Sequence, residues 1–218
     1  MATDEKKGVL TRSEAEELLA GLRGRTLPER IKVLIVEDDP TTKLLYDKGL
    51  FSEIFDKKMV VSGKEALIAY EEWHPDIIVL DIFLPEMTGY QVLKTIRNTI
   101  ADKQTAIVMA TSLSGNEDVL SCMKLGIEGY IIKPFQVLEI GGKILTYYAK
   151  KEPARGRSAE ALYREITKKL RMNLLLDRDR ARTAATAEKP PDEAADAATG
   201  GADQKGGQGK PEEITAET

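Results

Sequence analysis

Four apolar runs in this chain each stop at a polar residue able to do chemistry. "IKVLIVEDDP" (residues 31–40) ends in Glu37, Asp38 and Asp39, and "DIIVLD" ends in Asp81. "TAIVMAT" ends in Thr111, and "GYIIK" ends in Lys133. Three adjacent carboxylates repel one another, and an apolar core beside them strengthens that repulsion. The chain must therefore supply a counter-charge nearby. A single Asp after an apolar run is ordinarily a turn or helix-cap residue, and Asp39, directly before Pro40, is read as a cap. That reading does not extend to Asp38, Asp81, Thr111 and Lys133 taken together, because one suitable group at each of several strand ends is the pattern of a built site.

The elements that must position these groups are legible in the periodicity. "KVLIV", "DIIVL", "TAIVMA" and "GYIIK" are short, β-rich and almost continuously apolar, as expected of strands buried on both faces. A weaker run around "KMVVS" adds a fifth. Helix-like segments alternate with them: "TTKLLYDKGLF", "GKEALIAYEEW", "GYQVLKTIRNTI", "NEDVLSCMKLG" and "QVLEIGGKILTYYAK". Five strands alternating with five helices predict βαβ units and an α/β, doubly wound parallel sheet. In such sheets working groups collect at the carboxyl ends of the strands, where the four polar residues fall.

In order and spacing, "VEDDP", "VLDIFLPEMTGY", "MATS" and "GIEGYIIKPF" resemble the receiver domain of two-component response regulators, including the chemotaxis receivers, over residues 30–150. The resemblance implies a flavodoxin-like sheet of strand order 2-1-3-4-5. It also implies that Asp81 is the phosphoacceptor, taking a phosphoryl group from a partner's phosphohistidine in a Mg²⁺-dependent transfer. The metal would be held by Glu37, Asp38, Asp81 and the backbone carbonyl of Phe83, with Asp38 direct and Glu37, where Asp is commoner, acting through water. Lys133 would neutralise a phosphoryl oxygen. Thr111 would sense the phosphoryl group, and Tyr130 would be the aromatic switch that follows it. The Lys133–Pro134 bond would be cis. The implied partners are a sensor histidine kinase or phosphotransfer protein, and a downstream protein or second copy at the face of the fourth helix, fifth strand and fifth helix. The leading expectation is a stand-alone, phosphorylatable switch rather than an enzyme with its own substrate. The alternative is a transcriptional regulator whose basic C-terminal helix binds DNA.

Composition narrows the rest. The 218 residues carry a formal charge of −4, and residues 182–218 hold 8 acidic against 4 basic side chains. The remaining 181 residues are thus balanced, with no field to attract nucleic acid, so that partner is not expected. One cysteine, Cys122, excludes an internal disulfide and fits a reducing, cytoplasmic setting. No apolar run reaches the length of a membrane span. The single histidine, His74, precedes a proline and is read as a loop residue.

Flanking segments complete the organisation. Residues 1–29 form an N-terminal extension in which "LTRSEAEELLAGL" has a capping-box signature, Thr11 with Glu14. This segment resembles the docking peptide of the flagellar switch protein at Leu10, Thr11, Glu14, Glu16, Leu18 and Leu19, and departs from it at Arg12 and Ala15. Residues 151–180 predict a basic amphipathic helix with Leu162, Ile166, Leu170 and Leu174 in one stripe, available to a partner helix or a second copy. Residues 181–218, rich in Ala, Gly, Pro and charge, predict a disordered tail.

Overall fold

The computed structural model describes residue 27, residues 29–112 and residues 116–187; side chains of 116–118 and 183–187 are outside that description. The N-terminal helix expected at residues 10–22 and most of the expected tail lie outside the described residues.

Five strands alternate with helices: β1 Ile31–Val36, α1 Pro40–Gly49, β2 Phe55–Val60, α2 Gly63–Trp73, β3 Ile77–Asp81, α3 Gly89–Lys94, β4 Ala106–Thr111, α4 Asn116–Leu125, β5 Gly129–Ile132, α5 Val137–Tyr148 and α6 Pro153–Ala187. A π turn, Thr95–Thr99, continues α3. All pairings are parallel and the strand order is β2-β1-β3-β4-β5, as the sequence pattern and the resemblance led us to expect.

Side chains alternate across the sheet, so each strand feeds two cores. Ile31, Val33, Ile35, Ile77, Val79, Val108 and Ile131 face a layer built by α1, α5 and α6. Leu34, Val36, Ile78, Leu80, Ile107 and Met109 face the layer of α2, α3 and α4. β3 is buried at every position, which explains its unbroken apolar run. The edge strand β2 instead carries Lys57 and Lys58, which blunt its free edge.

The C-terminal helix α6 is part of the first layer. Ala159, Leu162, Tyr163, Ile166 and Leu170 are buried in the same core as α1 and α5. The Tyr163 hydroxyl donates to the Gly49 carbonyl at 3.1 Å and accepts from the Gly141 N–H at 3.2 Å. Its ring stacks on Phe51 with centroids 5.0 Å apart. Gly141 is required by this seat: a Cβ there would meet the Tyr163 ring at 2.2 Å. The stripe expected to await a partner helix is therefore occupied within the chain as far as Leu170, with Leu174 only half-buried. The helix also runs past the expected end at residue 180, to Ala187.

Candidate functional site

Strand register brings the four strand ends together. β1 and β3 are paired through Val36↔Leu80, so one further step sets Glu37 beside Asp81. Asp81 pairs with Ala110, and the Lys133 N–H donates to the Thr111 carbonyl at 2.9 Å. Alternation then sorts the side chains. Glu37, Asp81 and Lys133 continue the parity of Ile35, Val79 and Ile131, facing the α1/α5 layer. Thr111 continues that of Ile107 and Met109 toward the other layer, where Tyr130 also packs. Tyr130 is paired with Met109, two positions before Thr111, so the two residues are diagonal neighbours on one face.

The Lys133 ammonium lies 2.5 Å from Glu37 Oε2 and 2.5 Å from Asp81 Oδ2. This is the counter-charge that the first strand end demanded. Burial alone would lower the lysine's pKa, but its bonds to Asp81 and Glu37 prevail and raise it above the ordinary value. Glu37 is 1% exposed, and burial raises its carboxyl above the ordinary value despite the ammonium. Its Oε2 reaches Lys133 at ion-pair distance, yet without the alignment of a hydrogen bond. Its other oxygen accepts from the Asp39 N–H at 3.4 Å. Asp81 Oδ1 accepts from the Phe83 N–H at 3.1 Å.

Asp38, the exposed member, completes a triad. Glu37, Asp38 and Asp81 each present a carboxylate oxygen, and these atoms lie within 4.8 Å of one another. Three hard oxygen donors and one poorly satisfied buried carboxylate oxygen suit an oxygen-seeking divalent cation such as Mg²⁺. Asp39 points away from this work: its carboxylate accepts from the Thr42 N–H and hydroxyl, both at 2.6 Å, capping α1. Those Thr42 bonds hold its pKa below the ordinary value.

Two local features keep the mouth open. Phe83, after β3, leaves its side chain 53% exposed beside the site. Gly89 opens α3 directly under β3, where a Cβ would fall 1.9 Å from the Asp81 carbonyl oxygen. Lack of space therefore requires this glycine, and its N–H donates to the Ile82 carbonyl at 2.9 Å. Lys133–Pro134 is cis. His74 ends α2 in a left-handed conformation and is exposed before the amino end of β3, the length of that strand away from Asp81. Cys122 is buried in the second layer. Sequence reasoning missed Tyr46, which lies fully buried on α1, with Glu37 and Asp81 the two charges bearing on its hydroxyl.

Comparison with known proteins agrees with this geometry. The family model described as response regulator receiver domain matches residues 33–144. The chain is 34% identical over 115 residues to the DNA-binding response regulator MtrA of Mycolicibacterium smegmatis, covering 53% of this chain and 49% of that protein. It is 29% identical over 116 residues to the probable transcriptional regulator ycf27 of Porphyridium aerugineum, covering 53% and 47%. The chain thus spans about half the length of the curated relatives it matches. Among solved structures, the receiver domain of a Francisella response regulator is similar with a TM-score of 0.50 and 26% identity, over 56% of this chain and 98% of that one. A CheY-like receiver domain protein of Methanospirillum hungatei shares the fold with a TM-score of 0.53 and 22% identity, over 58% and 99%. With its sheet order, its acidic strand ends and more than half of its length matched, this chain belongs to the response regulator receiver family.

Proposed function

We propose that this protein is a phosphorylation switch in which Asp81 accepts a phosphoryl group and the receiver signals through protein contact. One observation carries the reading: Glu37, Asp38, Asp81 and Lys133 converge at the carboxyl ends of β1, β3 and β5. An Asp81 carboxylate oxygen attacks the phosphorus of a phosphohistidine on a kinase or phosphotransfer protein. The O–P bond forms, the P–N bond breaks, and the imidazole leaves with its electron pair. Glu37, Asp38, Asp81 and the Phe83 carbonyl would hold Mg²⁺, which would supply charge neutralisation for the phosphoryl oxygens. Lys133 is already poised on Asp81 Oδ2 and shifts onto a phosphoryl oxygen. Thr111, at the end of the neighbouring strand and 0% exposed, senses the new group, and Tyr130 on the same face carries the change outward.

The chain is then a switch with self-directed phosphoryl chemistry, not an enzyme with a separate substrate. Among the described residues no helix is long and apolar enough to cross a membrane, and a phosphohistidine donor would meet the chain in the cytoplasm. Incubation of the whole protein with Mg²⁺ and acetyl phosphate, followed by intact mass measurement, tests the assignment. Wild type should gain one phosphoryl group and Asp81→Ala none; equal labelling of both would remove Asp81 from its role.

A transcriptional output is the second reading, favoured by relatives that are named as DNA-binding or transcriptional regulators. The exposed, basic side of α6 would then contact phosphates. Neutralising Arg157, Lys168 and Arg178 to Gln separates the readings. Salt-sensitive DNA retention by wild type that the triple variant loses would favour DNA output, and no retention by either would favour protein contact.

A further inference from the structure

Tyr46 is the buried polar group that the site does not yet use. It lies on the sheet-facing side of α1, is 0% exposed, and tilts its ring by 45° on Phe135, two residues past Lys133, with centroids 4.8 Å apart. It belongs to the layer that Glu37, Asp81 and Lys133 face. Its hydroxyl has no hydrogen-bond partner, and Glu37 Oε2 is likewise buried without one. The phenol O–H is an unmatched donor on the face where Glu37 Oε2 holds an ion pair with Lys133 but no hydrogen bond, so donor and acceptor are chemically complementary. After burial, the charges that push the phenol well above its ordinary pKa are Glu37 and then Asp81.

The Lys133 ammonium at present serves both carboxylates. A phosphoryl group on Asp81 draws that ammonium onto its own oxygens and leaves Glu37 Oε2 buried with a weaker counter-charge. We propose that Tyr46 is a positioning residue whose hydroxyl donates to the Glu37 carboxylate in the phosphorylated state, holding it oriented while Lys133 turns to the phosphoryl group. This role rests on the phosphoacceptor reading of Asp81. It requires nothing of Tyr46 in the resting state beyond packing, which phenylalanine would do as well.

The test compares wild type and Tyr46→Phe in the full chain, with Mg²⁺ and beryllofluoride as the phosphoryl mimic. In metal-free buffer the variant should melt no lower than wild type, since it loses only an unmatched hydroxyl. Its apparent affinity for beryllofluoride should weaken by about tenfold, the effect of one hydrogen bond to a charged group. A structural role would instead lower the metal-free melting temperature and leave that affinity alone. Equal affinities, or that structural pattern, overturn the role of Tyr46 while leaving Asp81 in place. A wild type that does not respond to beryllofluoride overturns the phosphoacceptor reading and this proposal together. Should the variant not fold, ¹³Cζ-labelled tyrosine in wild type decides the matter: the Tyr46 signal should move on adding Mg²⁺ and beryllofluoride, and a fixed signal refutes the role.

Discussion

The two ends of the sheet are both rich in charge, and they treat it in opposite ways. At the amino ends of the strands, the charges of Arg97, Glu128 and Asp76 are matched, while Glu53 Oε2 before β2 is buried without a hydrogen bond. Buried Arg97 donates from Nε to the Gly126 carbonyl at 2.9 Å, from Nη1 to Asp102 at 3.0 Å and from Nη2 to Thr105 at 2.8 Å. Glu128 accepts from the Ile107 N–H at 2.6 Å through one oxygen and meets Lys151 at 3.1 Å through the other. Asp76 likewise engages both oxygens, with the Lys32 N–H at 2.9 Å and Arg155 at 3.0 Å. At the carboxyl ends, three carboxylates converge while one ammonium pairs with two of them, and Glu37 Oε2 lacks a hydrogen bond. Matched charge fastens loops to the sheet, whereas unmatched charge leaves interaction energy for a ligand.

The contrast yields a graded set of expectations. Most severe is the loss of function at the carboxyl end: Asp81→Ala should abolish phosphorylation by acetyl phosphate, while its metal-free stability, read by urea denaturation, falls by no more than about 1 kcal/mol because like charge is relieved. Arg97→Ala should do the reverse. Stranding the carbonyls and Glu128 should cost about 3–5 kcal/mol by the same measurement, and folded protein at low temperature should still accept one phosphoryl group. If Arg97→Ala proved as stable as wild type, the amino end would not be the fastening it is taken for.

A smaller effect separates metal affinity from stability. Asp38→Asn should weaken Mg²⁺ binding by about tenfold in calorimetry, the scale of one charged ligand contact. Its metal-free stability should be unchanged or slightly higher, because one repelling carboxylate is gone. A metal-free loss of several kcal/mol would make Asp38 structural.

The smallest effect is one of pH. Burial works against ionised Asp102, but hydrogen bonds from Thr105 and Tyr70 outweigh it and bring its pKa from 3.8 to about 2. A folded pKa below the unfolded one means that ionised Asp102 stabilises the protein above pH 3.8, and that this contribution is lost as pH falls toward 2. Asp102→Asn should therefore flatten the stability profile over that interval and leave the profile at neutral pH parallel to wild type.

The sequence exposed the carboxyl end far better than the amino end, for a physical reason. Glu37, Asp38, Asp81, Thr111 and Lys133 each terminate an apolar run, so local periodicity marks them one by one. Asp39 was equally legible, because a helix cap is a contact within three residues. Arg97 and Glu128 are 31 residues apart and sit among ordinary surface charges in the sequence, so nothing local distinguishes them. Tyr46 was hidden in the same way inside the apolar stripe of α1. The seat of α6 was half legible: the stripe of Leu162, Ile166 and Leu170 announced burial, but not that α1 and α5 would provide it.

That seat alters what counts as one cooperative piece of this molecule. The family match stops at residue 144, yet Tyr163 and Ile166, well beyond it, share a core with β1 and β3. Cutting the chain just after α5, a few residues past the family boundary, would hydrate the groove between α1 and α5 and strip Phe51 of its stacking partner. The excised receiver should then be prone to self-association through a surface that the intact protein never exposes. Oligomers seen with such a fragment would report the cut, not the signal.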